Sequence, residues 1–310
     1  MAELPTVSVV MPTYNRRARL PEVLAPLLAD PEAHELVVVV DGCRDGSYEL
    51  LCELARHDGR LRPRLIENRG ENDARQAGVE AATGDVVLVL DDDVRARPGL
   101  VAGHARRHAG ATGLVVMGYM PTPDPPRDFI TRLYGREYES ICRLYERAPE
   151  RILHHLWAGN LSLRREDYLR AIAGRDAPPL EYHADRELGL RWLEAGLRGA
   201  FDRSLRADHL HESHLDRFAR EARAQGAGTI ALHRLHGELL GPPPGFAGGL
   251  PAPLRRWLRL CRRPRVAAAS ARVLLELTRA AGLIRADRAQ ELSGRLLRRV
   301  EQQRGAMGAR

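Results

Sequence analysis

The chain contains no lysine, because all 48 basic residues among its 310 are arginine. Since a Schiff base needs a primary amine side chain, this absence excludes enzymes that hold their substrate on a lysine. Cysteine is also scarce: the four residues show neither the paired spacing of a zinc site nor a dense disulfide framework. We therefore expect a reducing, cytoplasmic compartment.

Long hydrophobic runs are missing as well. The longest aliphatic runs are Val37–Val40 and Val86–Leu90, whereas a membrane-spanning helix needs about 20 apolar residues. The N-terminus lacks the basic-then-apolar pattern of a signal peptide. These absences favour a cytoplasmic chain without an integral membrane segment, with peripheral attachment to the inner face of the membrane as a further option.

Charge is distributed unevenly along the chain. Residues 251–310 contain 15 arginines and 4 acidic residues, a net charge of +11, whereas residues 1–250 contain 33 arginines and 37 acidic residues, a net charge of −4. The basic character therefore belongs to the C-terminal segment. Such asymmetry is typical of a segment with an anionic partner, such as a membrane surface or a polyanion.

Short apolar runs alternate with helical patterns in the first 120 residues. The predicted strands are Val7–Met11, Leu36–Val40, Leu65–Glu67, Val86–Leu90 and Leu114–Met120. Helices are predicted between them, over about 17–30, 47–57 and 73–82. This alternation predicts an α/β fold with a mostly parallel sheet and helices on both faces.

The pattern changes after a proline-rich turn at 121–126. Predicted helices over 129–147 and 185–195, with short strands at 161–163 and 199–201, indicate an α+β half packed against the first. A Pro/Gly-rich linker and two or three arginine-rich helices follow. The predicted segments are 1–120 (nucleotide-sugar half), 121–240 (acceptor half), 241–253 (linker) and 254–310 (basic helical extension).

Three consecutive carboxylates, Asp91-Asp92-Asp93, directly follow the apolar strand Val86–Leu90. Adjacent like charges raise one another's pKa unless a cation neutralises them. Asp91 and Asp93 are two residues apart and can point to one side, and hard oxygen ligands suit Mg²⁺ or Mn²⁺ bridging a pyrophosphate. The alternative is a solvated acidic turn.

Polar segments also follow the other predicted strands. They are Pro12–Arg16, Asp41–Ser47 and Asn68–Gly78. In an open α/β sheet, ligands bind outside the carboxyl ends of the strands, which all meet at one edge. Each segment alone has an ordinary interpretation as a turn or a helix cap, but together they predict a nucleotide site.

These segments resemble the donor-binding half of the family 2 glycosyltransferases with the GT-A fold. The resemblance rests on PTYNR, VVVDGCRDGS, NRGENDARQAGVEAATGD and VLDDDVRARPG, which occur in the family's order between Val7 and Gly99. It implies an inverting enzyme that moves a sugar from a nucleoside-diphosphate sugar, most simply a UDP-sugar, to an acceptor hydroxyl. The implied cofactor is a divalent metal, Mn²⁺ or Mg²⁺. The acceptor is a sugar, a lipid-linked glycan or a small molecule.

The resemblance also implies roles for individual residues. The implied nucleotide-binding residues are Pro12, Tyr14, Asn15, Arg16, Asp41, Arg75, Asp91 and Asp92. Pro12 and Tyr14 would line the base and ribose pocket, and Asp41 would accept a hydrogen bond from a pyrimidine ring. Arg75 would help to hold the nucleotide. Val40 precedes Asp41, where many family members carry a second acid.

The metal ligands that the resemblance implies are Asp91 and Asp93, with His209 and then His211 as further candidates. Neutral imidazole can complete a metal site begun by carboxylates, and strand alternation would put both histidines on one face. The alternative for the histidines is a polar surface turn.

Residues 183–191, HADRELGLR, resemble the family's Glu-Asp helix start, with Ala184 in place of the glutamate. In family terms Asp185 is the general base that takes a proton from the acceptor hydroxyl. The alternative for Asp185 is a helix N-cap, a position that aspartate favours.

The basic extension and the overall function each leave alternatives. Leu254, Trp257, Leu258 and Cys261 recur at helical spacing among arginines, which suits an interfacial helix on an anionic membrane. The extension would otherwise pack on the body or on a second subunit, as in a homodimer. No nucleic-acid partner is expected, because the extension has one aromatic residue and no recognised motif. Alternatives to the transferase are a non-catalytic nucleotide-sugar-binding or membrane-associated scaffold and a nucleotidyltransferase of related fold.

Overall fold

The computed structural model describes residues 3–122, 126, 128–173, 180 and 182–309. Within these residues the strands are β1 (Val7–Thr13), β2 (Ala33–Asp41), β3 (Leu61–Ile66), β4 (Val86–Leu90), β5 (Val94–Ala96), β6 (Leu114–Tyr119), β7 (Asn160–Arg164) and β8 (Arg198–His209). The α-helices are α1 (Leu20–Leu28), α2 (Ser47–Ala55), α3 (Glu71–Ala81), α4 (Leu100–His108), α5 (Phe129–Arg147), α6 (Arg165–Ile172), α7 (Ala184–Glu194), α8 (Leu215–Leu235), α9 (Gly237–Leu240), α10 (Ala252–Leu260), α11 (Pro264–Leu283) and α12 (Asp287–Gly308). Half of the proline-rich turn predicted at 121–126, residues 123–125, falls outside the described residues.

The chain divides into two compact units. The first contains Met1–Asp124, Gly135–Ala177 and Leu188–His211, and the second contains Pro125–Tyr134, Pro178–Glu187 and Glu212–Arg310. All the strands named above belong to the first unit. Each unit consists of three separate stretches of the sequence. The division into a nucleotide-sugar half at 1–120 and an acceptor half at 121–240 stays a prediction about function.

The sheet of the first unit has the strand order β3-β2-β1-β4-β7-β6-β8-β5. The pairs β2–β3, β1–β2, β1–β4 and β6–β8 are parallel, whereas β7 runs antiparallel to β4 and β6, and β5 runs antiparallel to β8. The predicted α/β class with a mostly parallel sheet is confirmed. Because β1, β2 and β4 are parallel, the segments that follow them emerge at the same edge.

One face of the sheet is covered by α3. Its Gly78 lies so close to β1 and β2 that an added Cβ would sit 2.4 Å from Val10 Cγ1 and 3.2 Å from Val39 Cγ2. A larger residue would force the helix away from the sheet, because interiors pack with few voids. Glycine therefore permits this close helix–sheet contact.

The opposite face of the sheet is covered by α4. Leu161 of β7 belongs to the same core cluster as Val10 and Val39, so its neighbour Ser162 projects to the other face, as strand alternation requires. There Ser162 Oγ lies 2.7 Å from Nδ1 of His104 in α4. Helices therefore cover both faces, as the sequence predicts.

Strands β3, β5 and β8 were predicted least well. Strand β3 was predicted at Leu65–Glu67 but covers Leu61–Ile66, because it is an edge strand whose exposed positions tolerate Arg and Pro without an apolar signal. Strand β5 is only three residues long and gives no periodic signal. The piece predicted at 199–201 is the start of the 12-residue β8.

The second unit is helical in its C-terminal part, as predicted, with α10, α11 and α12 all present. Helix α12 is joined to α8 by the ion pair Arg223–Glu301, with Nε 2.9 Å from Oε2, and by a hydrogen bond of 2.7 Å from Gln302 Nε2 to Gln225 Oε1. No helix in the described part of the chain combines the length and apolarity that crossing a bilayer would require.

Candidate active site

The loop after β1 contacts the carboxylates that follow β4. Thr13, the last residue of β1, donates from Oγ1 to Asp92 Oδ2 at 2.7 Å. The guanidinium of Arg16 lies 3.7 Å from Asp92 Oδ1 and 3.8 Å from Asp93 Oδ2. The parallel pairing of β1 with β4 ends both strands at one edge, which is where ligands bind in such sheets.

The acidic segment itself forms a tight turn that brings His209 to Asp93. The Val94 N–H donates to the Asp91 carbonyl at 3.0 Å, and β5 then pairs antiparallel with β8 so that Val94 lies opposite His209. His209 Nε2 lies 3.3 Å from Asp93 Oδ1. A carboxylate and an imidazole from distant parts of the sequence therefore meet at this edge.

Asp92 and Asp93 are neighbours in this turn, but their carboxyl pKa values shift in opposite directions. Burial raises the pKa of the Asp93 carboxyl, but the hydrogen bond and charge of His209, with help from Arg16, outweigh it and lower that pKa to about 2. Burial raises the pKa of Asp92, and the hydrogen bond from Thr13 offsets only part of that effect. Asp93 is therefore held ionised at neutral pH in a largely buried position.

His211 lies near His209 but not on the strand. Strand β8 ends at His209, so the prediction that alternation puts both histidines on one strand face was wrong. The two rings nevertheless approach to 5.5 Å between centroids, with an interplanar angle of 81°. Within the ranges that the structure describes, no three His, Cys, Asp or Glu side chains form a ready-made metal site.

Asp41, at the end of β2, fixes the loop after β3. Its Oδ1 accepts from the Arg69 N–H at 2.8 Å and its Oδ2 from the Gly70 N–H at 2.9 Å. A carboxylate has about four lone-pair sites, so capacity for a further donor remains. The role of Asp41 in recognising a base stays a prediction.

The first and second loops are tied to each other as well. Asn15, at φ 53°, accepts from the Arg44 N–H at 3.2 Å, and its own N–H lies 3.0 Å from Cys43 Sγ. Pro12 is buried, whereas Tyr14 is 53% exposed at the edge of the sheet. Tyr14 is thus accessible to a ligand, whereas Pro12 is not exposed on the surface.

Arg75, a predicted nucleotide-binding residue, is not exposed to a ligand. Its side chain is fully buried in α3. There it pairs with Glu71, and Nη1 donates to Asn72 Oδ1 at 3.0 Å. A direct contact from Arg75 to a nucleotide would need this arrangement to open, so its role also stays a prediction.

Asp185 belongs to the second unit, where α7 begins one residue before it, at Ala184. Asp185 therefore lies within the first turn rather than at the N-cap. The preceding His183 has φ 69° and its Nε2 lies 3.0 Å from the Thr229 hydroxyl of α8. Non-glycine residues take this conformation rarely, so the contact with Thr229 helps to fix where the helix starts.

Comparison with known proteins decides the family. The model of the family described as Glycosyl transferase family 2 matches residues 8–170, just over half of the chain. The chain belongs to glycosyl transferase family 2. The matched region contains the carboxylate cluster and the loops after β1, β2 and β3.

Relatives of this family 2 chain match over a limited region. An undecaprenyl-phosphate 4-deoxy-4-formamido-L-arabinose transferase of Pseudomonas aeruginosa is 45% identical over 98 residues, which are 30% of this chain and 29% of that protein. An uncharacterised glycosyltransferase of Bacillus subtilis is 31% identical over 134 residues, 43% of this chain and 32% of that protein. The chain thus spans less than a third of the length of either relative.

A solved structure shares the family 2 fold. The mannosyltransferase of Pyrobaculum calidifontis, determined in complex with GDP-Man and Mn²⁺, aligns with a TM-score of 0.60 at 19% identity. The alignment covers 96% of this chain and 86% of that chain. At this identity the similarity shows the GT-A fold.

The donor chemistry of the family 2 site fits a hard divalent cation. Carboxylate oxygens are the ligands that Mg²⁺ and Mn²⁺ prefer, and an imidazole is an acceptable addition for Mn²⁺. Asp93 and His209 supply one group of each kind, 3.3 Å apart, and Asp91 begins the same turn. The space beside Asp91 is kept open by Gly159, where an added Cβ would sit 2.6 Å from Asp91 Oδ2.

The close approach of Gly159 to Asp91 has a testable consequence. The φ of Gly159, 120°, is costly for any other residue, so Gly159→Ala is expected to lose about 1–3 kcal/mol of unfolding free energy from backbone strain. The added methyl group also displaces the Asp91 carboxylate, so we expect weaker metal-dependent nucleotide binding by calorimetry.

Gly196→Ala is the matched control for this substitution. Gly196 also has positive φ, 83°, but an added Cβ meets nothing within 4 Å. The control variant should therefore lose stability in denaturant titrations while keeping wild-type nucleotide binding. Equal binding by the two variants would show that Gly159 does not support the Asp91 carboxylate.

Two buried histidines of α4 give a pH dependence that the sequence did not predict. His104 and His108 both contact the Ser162 hydroxyl, at 2.7 and 2.8 Å. Burial lowers the pKa of His104 to about 3 and that of His108 to about 4. Both are therefore neutral in the folded protein at every pH above about 5, by the usual titration behaviour.

The unfolded chain binds protons on these histidines near pH 6.5 while the folded chain does not, so acid favours unfolding. We expect the unfolding free energy to fall by about 1.4 kcal/mol per pH unit per histidine as the pH drops from 6.5 towards 4. Denaturant titrations should show His108→Gln reducing this slope and the exposed control His57→Gln leaving it unchanged. A pH-independent midpoint in the wild type over this range would contradict the assignment.

Proposed function

We propose that this chain transfers a sugar from a nucleoside-diphosphate sugar to an acceptor hydroxyl, with inversion at the anomeric carbon. In this proposal Asp91, Asp93 and His209 hold a divalent cation, with His211 close by. The loops after β1 and β2 bind the nucleotide, and Asp185 is the general base. A UDP-sugar is the first donor to test.

The observation that carries the proposal is the pairing of Asp93 with His209 at the carboxyl edge of the sheet, 3.3 Å apart. The low pKa of Asp93 keeps a negative charge there, and Arg16 adds a cationic side chain beside it. An ionised carboxylate next to an arginine and an imidazole is suited to binding a cation together with a diphosphate.

The donor half of the reaction requires the bond between the anomeric carbon and the β-phosphate oxygen to break. The departing diphosphate gains negative charge, which a bound divalent cation would neutralise. In the proposal Arg16 donates to phosphate oxygens, and its guanidinium lies within 4 Å of the carboxylates at this edge. Thr13 holds Asp92 in a fixed orientation through its hydroxyl.

The acceptor half of the reaction requires a proton to leave the acceptor hydroxyl. In the proposal Asp185 takes that proton as the acceptor oxygen attacks the anomeric carbon from the face opposite the nucleotide. One bond to the anomeric carbon forms as the other breaks, so the configuration inverts without a covalent enzyme intermediate. General-base help of this kind contributes about 10²–10⁴-fold to the rate.

A ligand panel followed by a transfer assay tests the function. Thermal shift with UDP-sugars and GDP-sugars, each with Mn²⁺, Mg²⁺ or chelator, should identify a donor that stabilises the protein only with metal. That donor is then incubated with sugar acceptors and with a polyprenyl phosphate, the acceptor class in the name of the Pseudomonas relative. NMR of the product should show the opposite anomeric configuration to the donor.

The outcomes separate the alternatives. Metal-dependent binding without turnover on any acceptor would favour the non-catalytic scaffold. Pyrophosphate release from a nucleoside triphosphate and a sugar phosphate would favour the nucleotidyltransferase. A product with retained configuration would contradict the single-displacement mechanism.

A further inference from the structure

Helix α11 is apolar on two faces, and only one of them is buried. On the buried face, Ala267, Ala271 and Leu274 pack in a helical core with Leu258 and Cys261, which lie at the end of α10. A surface helix of a globular protein normally has one apolar stripe facing its core, with polar residues opposite. The second apolar face of α11 therefore needs a separate explanation.

The second face is a continuous exposed stripe. Val273, Leu277 and Ile284, the last just past the helix end, are 58%, 54% and 77% exposed. Their spacing of four and seven residues places them on one side of the helix. The exposed Ala269 and Ala280 fall at the same side and extend the stripe. We call this set the α11 stripe.

Arginines lie along the N-terminal part of the α11 stripe, and Glu276, the one acidic residue of α11, is paired with Arg279. Residues 251–275 contain no Asp or Glu and seven arginines, all exposed. These are Arg255, Arg256, Arg259, Arg262, Arg263, Arg265 and Arg272. None of the seven makes an ion pair with any residue that the structure describes.

Two arginines of α11 lie along one side of the stripe. Arg265 and Arg272 are seven residues apart, which places them one above the other, about 100° around the helix from Val273. On α10, Arg255, Arg256 and Arg259 are exposed, and Arg256 lies about 160° around the helix from the buried Leu258. An apolar stripe bordered by cationic side chains is the pattern of a helix that lies in a membrane interface.

We propose that α10 and α11 dock this protein on an anionic lipid bilayer, with the α11 stripe at the boundary between headgroups and acyl chains and the arginines on lipid phosphates. A bilayer fits better than a second copy of the chain. In a dimer formed through this face, seven uncompensated arginines would meet another seven, and like charges at an interface cost affinity. The proposal stands independently of the transferase activity.

Vesicle co-sedimentation of the full chain tests the docking surface. We expect the protein to sediment with vesicles of phosphatidylcholine containing phosphatidylglycerol and to remain in the supernatant with phosphatidylcholine alone. Added salt should weaken the binding, since screening acts on exposed charges. Competition by a single-stranded oligonucleotide, measured in parallel, reports whether any polyanion is sufficient.

Two pairs of matched variants separate charge from apolar insertion. The variant R255Q/R256Q/R259Q should reduce the partition coefficient about a hundredfold, at about a fivefold loss per arginine. The control R56Q/R106Q/R220Q removes the same charge at exposed sites that form no ion pair with a described residue, and it should bind normally. The variant L277Q/I284Q should reduce binding about tenfold or more. Its control, L235Q/L239Q, changes leucines that are 43% exposed outside the stripe and should bind normally.

Thermal melts of all variants check that exposed substitutions leave the fold intact. Equal sedimentation with neutral and anionic vesicles would overturn the proposal, as would anionic binding that neither test variant reduces. So would a dimer, by light scattering, that L277Q/I284Q dissociates while vesicles are not bound. Tight oligonucleotide binding without vesicle binding would assign the arginines to a nucleic-acid partner instead.

Discussion

Asp93→Ala is expected to abolish the metal-dependent binding of nucleoside-diphosphate sugars. Asp93 is the carboxylate whose pKa is held at about 2 beside His209, so it is the ionised group best placed to hold a cation. Removing it takes away a proposed metal ligand and the carboxylate that lies 3.3 Å from His209 Nε2. Because a bound cation contributes several kcal/mol, the loss of affinity in calorimetry with Mn²⁺ should be at least about a hundredfold.

Glu53→Gln is the control for Asp93→Ala. Glu53 is an exposed acid of α2, so its substitution changes the net charge by the same amount without touching the sheet edge. The control should bind donor and metal as the wild type does. If Asp93→Ala binds the donor with an unchanged dependence on Mn²⁺, the cation is held elsewhere and the proposed ligand set is wrong.

Asp185→Asn is expected to stop turnover while donor binding persists. Asparagine keeps the shape of the side chain and its place in the first turn of α7 but cannot accept the acceptor's proton. The rate should therefore fall about 10²–10⁴-fold. The test measures product formation and, separately, the affinity for the donor with Mn²⁺ by calorimetry.

Asp287→Asn is the control for Asp185→Asn, because Asp287 is the acidic residue in the first turn of α12. Both substitutions remove a charge that stabilises a helix N-terminus by about 0.3–1 kcal/mol, but only the first should affect the rate. The acceptor matters as well: a phosphate is already largely ionised at pH 7. A large effect with a sugar acceptor and a small one with a polyprenyl phosphate would identify proton removal as the step that Asp185 assists.

The sequence predicted the first half of the sheet well because its signals are local. Val7–Met11 and Val86–Leu90 are apolar runs of strand length, and both lie in buried parallel strands. The predicted loops after them meet at one edge because parallel strands share their direction. Strands β3 and β5 were harder to predict, since an edge strand with Arg and Pro and a three-residue strand carry no periodicity.

The contacts within the candidate site depend on pairing that no local pattern encodes. His209 reaches Asp93 only because β8 pairs antiparallel with β5, a register between residues more than a hundred positions apart. The burial of Arg75 and the backbone contacts of Asp41 are likewise tertiary. The sequence motifs identify the residues of the candidate site, whereas the distances between those residues depend on the sheet topology.

The most direct measurement of the proposed function is calorimetry of the unmodified chain with UDP-sugars and GDP-sugars, in Mn²⁺ and after chelation. We expect at least one donor to bind in Mn²⁺ and the signal to disappear with chelator, because the carboxylates after β4 need the cation to accept a diphosphate. Binding of equal strength without divalent ions, or no binding of any nucleoside diphosphate in their presence, would contradict it.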